Sequence, residues 1–146
     1  MKHFSIRIYG LIVENRKVLV SDEFCGGRNV TKFPGGGLEF GEGPIECVKR
    51  EFIEEMNLEI DVIEHLHTTD FYIHSAFDPN RQVICIYYLV KPKHEIPVKI
   101  SEKKFDFDSE SEGAQAFRWV SFDEINENSF TFATDRKASE ILINKV

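Results

Sequence analysis

Hydrophobic and polar positions alternate at the start of the chain. Ile6, Ile8, Gly10 and Ile12 interleave with Arg7, Tyr9 and Leu11, the period-two pattern of a strand. Glu14-Asn15-Arg16 reads as a tight turn, and Lys17 to Ser21 as the returning strand. Asp22 to Lys32 is polar and holds Gly26, Gly27 and Asn29, so it reads as a loop. The period then changes. From Pro44 to Met56 nothing breaks a helix, and Ile45, Val48, Phe52, Ile53 and Met56 fill one broad arc that should face a core. Pro44 suits the first helical turn, because its φ is already near the helical value and it has no N–H to leave unpaired.

Beyond the helix, Glu59 to Tyr72 is strand-like, and Ser75 to Asn80 is a turn or loop. Val83 to Val90 is a near-continuous apolar run, as expected of a central strand covered on both faces. His94 to Lys104 is irregular, and Phe105 to Glu112 is an acidic loop. Ala116 to Ser121 is a further strand, followed by a short helical turn at Asp123-Glu124-Ile125. Thr134 is placed to cap a last helix from Asp135 to about Asn144, with Ala138, Ile141 and Leu142 as its stripe. Strands interleaved with two helices predict an α/β fold, an α/β/α sandwich around a mixed β-sheet. At 146 residues, one domain over 1–146 is expected, long enough for a proper core.

Charge sharpens this picture. The net charge of −7 argues against nucleic-acid polymers or anionic membranes as partners, but not against a small anion held through a metal. No apolar run reaches the ~20 residues that span a bilayer, and the N-terminus opens directly into a strand pattern without a signal-peptide core. Cys25, Cys47 and Cys85 are odd in number and lack metal-type spacing. They read as free thiols of a cytoplasmic protein.

The unusual chemistry lies on the first helix. Glu51, Glu54 and Glu55 fall within an arc of about 100° beside the apolar face. Like charges at these spacings cost roughly 0.2–0.5 kcal/mol per pair, and Arg50 is placed to offset one of them. Taken alone, such a run is a solvated acidic face. An all-oxygen cluster also suits a hard divalent cation, Mg²⁺ or Mn²⁺, better than zinc. The helix is preceded by Gly35-Gly36-Gly37, where the backbone can come close to a ligand or take φ > 0.

The context favours the metal. Gly36 is followed after five residues by Glu42, and seven residues later comes Arg50-Glu51-Phe52-Ile53-Glu54-Glu55-Met56-Asn57-Leu58. This resembles the Nudix box, G-x5-E-x7-R-E-U-x-E-E-x-G-U, with U a bulky aliphatic residue. Every charged position matches. Phe52 stands at an aliphatic position, and Asn57 replaces the final glycine. Asparagine is the mildest such change, because the helix ends there in the left-handed region.

The resemblance implies the Nudix fold and a Mg²⁺- or Mn²⁺-dependent pyrophosphohydrolase. The expected substrate is a nucleoside diphosphate linked to another moiety: a nucleoside triphosphate, a nucleotide sugar or a dinucleoside polyphosphate. A non-nucleotide diphosphate is a second enzymatic possibility, and a catalytically silent, nucleotide-sensing Nudix-like module is the rival from another class. By the same resemblance Glu51, Glu54 and Glu55 bind the metal, with the Gly35 carbonyl as a further candidate ligand. A tight turn explains Gly35 equally well. Arg50 and Glu42 orient and brace, Glu54 and Arg50 belong to the catalytic set, and a homodimer is compatible with the family. A further glutamate is expected from the loop before the last strand. Glu112, beside Gly113, fits best, with Glu110 as runner-up. Cys47 reads as packing under the loop and not as a nucleophile. Two residues outside the box are candidate substrate contacts: Arg28, which meets a phosphate or is merely solvated, and Phe77, an aromatic in a polar loop. His65, His67 and His74 lack metal spacing.

Overall fold

A computed structural model describes residues 1–145. Its elements are β1 (His3–Glu14), β2 (Lys17–Cys25), β3 (Arg28–Lys32), β4 (Gly35–Gly37), α1 (Pro44–Met56), β5 (Ile60–Thr68), β6 (Arg81–Pro92), β7 (Gln115–Ser121), a 3₁₀ turn (Phe122–Glu124) and α2 (Ala133–Lys145). The strands form a seven-stranded mixed sheet in the order β3-β2-β1-β6-β5, with β4 also on β1 and β7 also on β2. β1 and β6 run parallel over ten residue pairs, and the other strand pairs are antiparallel.

The two faces of β1 feed two cores. Ile8 and Ile12 pack with Val48, Phe52 and Met56 of α1. Tyr9 and Leu11 pack with Tyr87, Phe33 and, from α2, Ala138 and Leu142. One helix therefore covers each face, the expected α/β/α sandwich. Gly10 explains how the chain accepts the aromatic ring of Phe52. A Cβ there would lie 2.7 Å from the Phe52 ring, so only glycine leaves room.

The hairpin Gly26-Gly27 corrects the loop expected over Asp22 to Lys32. β2 continues to Cys25 and pairs with β3 across a two-residue turn in which both glycines have positive φ, 62° and 75°. The polar segment is a strand because its polar groups are paired. Asp22 is fully buried, yet it faces Arg118 across the sheet, with Nε to Oδ2 at 2.6 Å and Nη2 to Oδ1 at 3.1 Å. The Thr31 hydroxyl and the Phe105 N–H also donate to it, at 2.7 and 3.2 Å.

A second correction concerns α2. It begins at Ala133, so Thr134 lies within its first turn, where it is buried, and does not cap it. The end of α1 is as expected. Asn57 sits at φ 52°, ψ 39°, its N–H bonded to Ile53 O at 2.9 Å. Val83 to Val90 lies inside β6, between β1 and β5, with Cys85, Tyr87 and Val90 buried.

Candidate active site

Glycines bring α1 against the sheet. Gly35 takes φ 149° and passes so close to Ile8 O that no side chain fits, and a Cβ at Gly36 would fall within 2.5 Å of the Glu51 carboxylate. The box glycine Gly36 is thus the seat of a box glutamate.

Arg50 organises the edge of the helix. It grips Glu42 with two bonds, Nε to Oε2 at 3.0 Å and Nη2 to Oε1 at 2.7 Å. Nη1 reaches both Glu51 and Glu54 at 3.0 Å, and Nη2 bonds the carbonyl of Gly37 at 3.1 Å. Sequence spacing suggests one partner for Arg50, but the fold gives it hydrogen bonds to three carboxylates and a loop carbonyl, with a fourth carboxylate, Glu39, at 3.7 Å. This grip, with a bond from the Glu39 N–H, holds the Glu42 carboxyl down at about 2. Cys47 lies buried beneath, its Sγ 3.5 Å from Gly37 O, and burial pushes its thiol up to about 12. A protonated, enclosed thiol fits packing and not attack.

Glu55 turns the other way. It accepts from the Gly35 N–H and from Gln115 Nε2, both at 3.3 Å. Burial, reinforced by Glu23, raises its carboxyl to about 7. Gln115 also donates to Glu23 at 3.2 Å and to Ser21 at 2.9 Å, tying β2, β7 and α1 together. Glu23 and Gln115 therefore join the site, and the sequence signals neither. Each is a single polar residue on a strand, brought in by pairing between β2 and β7.

A cavity of about 300 Å³ opens on the α2 face of the sheet, lined by Arg7, Tyr9, Glu23, Lys32, Phe77 and Phe132 among others. Phe77 is 54% exposed and packs beneath Gly26. Arg28 lies over the ring of Phe132, a lining residue, at 5.7 Å. Glu112 accepts from the Gly26 N–H at the hairpin turn that Phe77 supports. Of the three, Phe77 lines the cavity, Arg28 lies against the lining residue Phe132, and Glu112 is held at the hairpin turn, while Glu23 is the carboxylate of the sheet that acts on Glu55. His74 also lines the cavity, but its Nε2 is engaged with Pro79 O at 3.1 Å. His65 bonds Thr68, and His67 stacks on Tyr87.

Among the described residues, no three Asp, Glu, His or Cys side chains converge as a ready-made metal cage. Glu51 and Glu54 face Arg50, and Glu55 faces Gly35 and Gln115. The donor set itself is purely oxygen and carries more negative charge than Arg50 offsets. That chemistry fits a hard divalent cation.

A family model for the NUDIX domain matches residues 1–140. The chain belongs to the Nudix family. Hydrolases of this family act on pyrophosphate bonds and generally require a divalent metal. No curated protein matches the chain. Solved structures share the fold of this Nudix chain. A MutT NUDIX hydrolase from Burkholderia pseudomallei superposes with a TM-score of 0.74 at 18% identity, over 97% of this chain and 99% of that one. The ORF135 protein of E. coli gives 0.73 at 18%, over 98% and 91%. An ADP-ribose pyrophosphatase from Streptococcus suis gives 0.63 at 14%, over 97% and 92%. At such identities these neighbours establish the fold alone. No helix among the described residues is long and apolar enough to cross a membrane.

Proposed function

We propose that this Nudix chain is a Mg²⁺- or Mn²⁺-dependent pyrophosphohydrolase that cleaves a nucleoside diphosphate linked to another moiety. The observation that carries the reading is the box edge, where every acidic box residue is present and Arg50 joins Glu42, Glu51 and Glu54 in one network. A silent nucleotide-sensing module has no need for this full set. A bound divalent cation supplies charge neutralisation at the diphosphate and an acidified water. Glu51, Glu54 and Glu55, with the Gly35 carbonyl, are the residues that would hold it. Arg50 braces Glu51 and Glu54 and ties the helix to Gly37. Phe77, with Arg28 stacked on the lining residue Phe132, meets the organic part of the substrate, a small molecule such as a nucleoside triphosphate, nucleotide sugar or dinucleoside polyphosphate. A neighbouring fold carries the name ADP-ribose pyrophosphatase. This chain lacks the proline that marks such enzymes some fifteen residues past the box, since Pro79 comes later.

Two carboxylates compete for the role of general base. Glu112 belongs to the loop before β7 and accepts from the Gly26 N–H. Glu23 is the alternative, on one observation: it shares Gln115 with Glu55. A base must reach the attacking water directly or through one more water. The test is a phosphatase-coupled assay with Mg²⁺ over a panel of nucleoside diphosphate compounds, run on wild type, Glu112→Gln, Glu110→Gln and Glu23→Gln. Glu112→Gln is expected to lower the maximal rate about tenfold or more, with Glu110→Gln nearly neutral. A crippled Glu23→Gln beside an active Glu112→Gln moves the base to β2. No turnover on any compound sinks the hydrolase reading.

A further inference from the structure

The cavity on the α2 face contains an unspent positive charge. Its lining includes Arg7, Lys32 and Arg81. Lys32 is paired with Glu23 at 3.4 Å, and Arg81 with Asp78 at 3.6 Å. Among the described residues, no carboxylate lies at ion-pair distance from Arg7. Its Nε donates to the Tyr9 hydroxyl at 2.7 Å, which fixes the plane of the guanidinium and leaves its terminal nitrogens toward other partners. The guanidinium is half-buried and also lies 5.7 Å over the Tyr9 ring, so no carboxylate but an aromatic face and one hydroxyl hold it, which leaves it able to meet an anion.

The position of Arg7 says which anion. In the sheet register Arg7 faces Gly37, and a Cβ on Gly37 would lie 3.8 Å from Arg7 Nη1. Gly37 is also the residue whose carbonyl Arg50 holds. Two guanidinium groups therefore converge on the last glycine of the loop that enters α1. One braces the acidic edge, and the other opens into the cavity. The Glu51 carboxylate seats on Gly36, the neighbour of Gly37 in the chain. Arg7 thus stands at the boundary between the cavity and the carboxylates, where a diphosphate must pass. The guanidinium fork matches phosphate oxygens better than a point charge would.

We propose that Arg7 binds a phosphate oxygen of the diphosphate substrate, on the side of the scissile bond that enters the cavity, and that Tyr9 positions its guanidinium. The proposal rests on the pyrophosphohydrolase reading above and adds a binding residue outside the box. Lys32, paired to Glu23, contributes field but is not the primary contact.

Binding of a non-hydrolysable probe separates this from turnover. Imidodiphosphate is titrated in EDTA and followed by ³¹P NMR, with folding checked by thermal melts. Wild type is expected to bind, and Arg7→Gln to bind about tenfold or more weakly, the scale of one charge-assisted pair. Arg7→Lys should fall between them, because it keeps the charge and loses the fork. Lys91→Gln, which removes an exposed cation on β6, controls for net charge and should stay within about twofold. If Arg7→Gln does not fold, Tyr9→Phe with Arg7→Lys carries the test, and both must weaken the probe. Equal binding by wild type and the Arg7 and Tyr9 variants overturns the proposal, as does a wild type that fails to bind. The hydrolase reading fails separately: a protein that binds the probe through Arg7 yet turns over no diphosphate keeps the anion site and loses the enzyme.

Discussion

Two arginines in this molecule face carboxylates in opposite ways. Arg118 meets Asp22 one to one inside the sheet, and the remaining lone pairs of Asp22 are taken by Thr31 and the Phe105 N–H. Arg50 faces Glu42, Glu51 and Glu54 at once, at the edge of a helix that also carries Glu55. The first network is balanced and closed, so its value is structural. It lets a strand with a buried acid belong to the sheet. The second is over-supplied with negative charge and half open to water. Such an imbalance is unfavourable in isolation and makes sense where a cation and an anionic substrate complete it. Balance marks scaffold, and imbalance marks site.

The comparison breaks first at its structural half. Asp22→Asn leaves the buried Arg118 charge uncompensated, and the expected loss is about 3–5 kcal/mol. Urea unfolding measures it. A variant within about 0.5 kcal/mol of wild type would mean that the pair is not the closed network described here.

Asp135 sharpens the comparison, because it is a buried acid answered by neither arginine. It accepts from the Tyr87 hydroxyl at 2.7 Å, and burial raises its carboxyl to about 7. The unfolded chain loses this proton near pH 4, while the folded chain keeps it to about pH 7. The folded state therefore binds more protons across that window, and stability falls as pH rises through it. Asp135→Asn keeps an acceptor for Tyr87 and removes the charge. Relative to wild type it should gain roughly 2–3 kcal/mol between pH 5 and pH 8. Parallel pH profiles for the two proteins would contradict the assignment.

The smallest effect tests whether local backbone holds the acidic edge in place. Asn57 occupies the left-handed region at the end of α1. Asn57→Val should destabilise by about 1 kcal/mol, because a branched Cβ resists that conformation, and Asn57→Gly should be near neutral. A harmless valine would mean that the helix end rearranges freely.

What was legible in the sequence was local. The box, the bounds of α1, the αL end at Asn57 and the apolar run in β6 depend on neighbours within a few turns or on one strand. Phe52 was legible as a departure but its accommodation was not, since Gly10 lies far off on β1. The β2–β3 hairpin was hidden because Asp22 and Thr31 look like loop residues until Arg118, ninety-six positions away, arrives across the sheet. Gly26-Gly27 reads as loop in the sequence and is the two-residue turn of the hairpin in the structure. Glu23, Gln115 and Arg7 share this difficulty. Each is one polar residue in an alternating strand, and only strand pairing gives it a role.

The central claim is that the over-supplied edge of α1 works through a divalent cation. Glu55→Gln tests it most directly, measured by hydrolysis of a diphosphate substrate and by melting, each in Mg²⁺ and in EDTA. Wild type should melt higher in millimolar Mg²⁺, because the cation binds the folded cluster and not the unfolded chain, and should be inactive in EDTA. The variant should fold at least as stably in EDTA, lose much of the Mg²⁺ shift, and turn over about a hundredfold more slowly or worse. A wild type that melts identically in both buffers and works fully in EDTA, beside a fully active Glu55→Gln, would contradict the account.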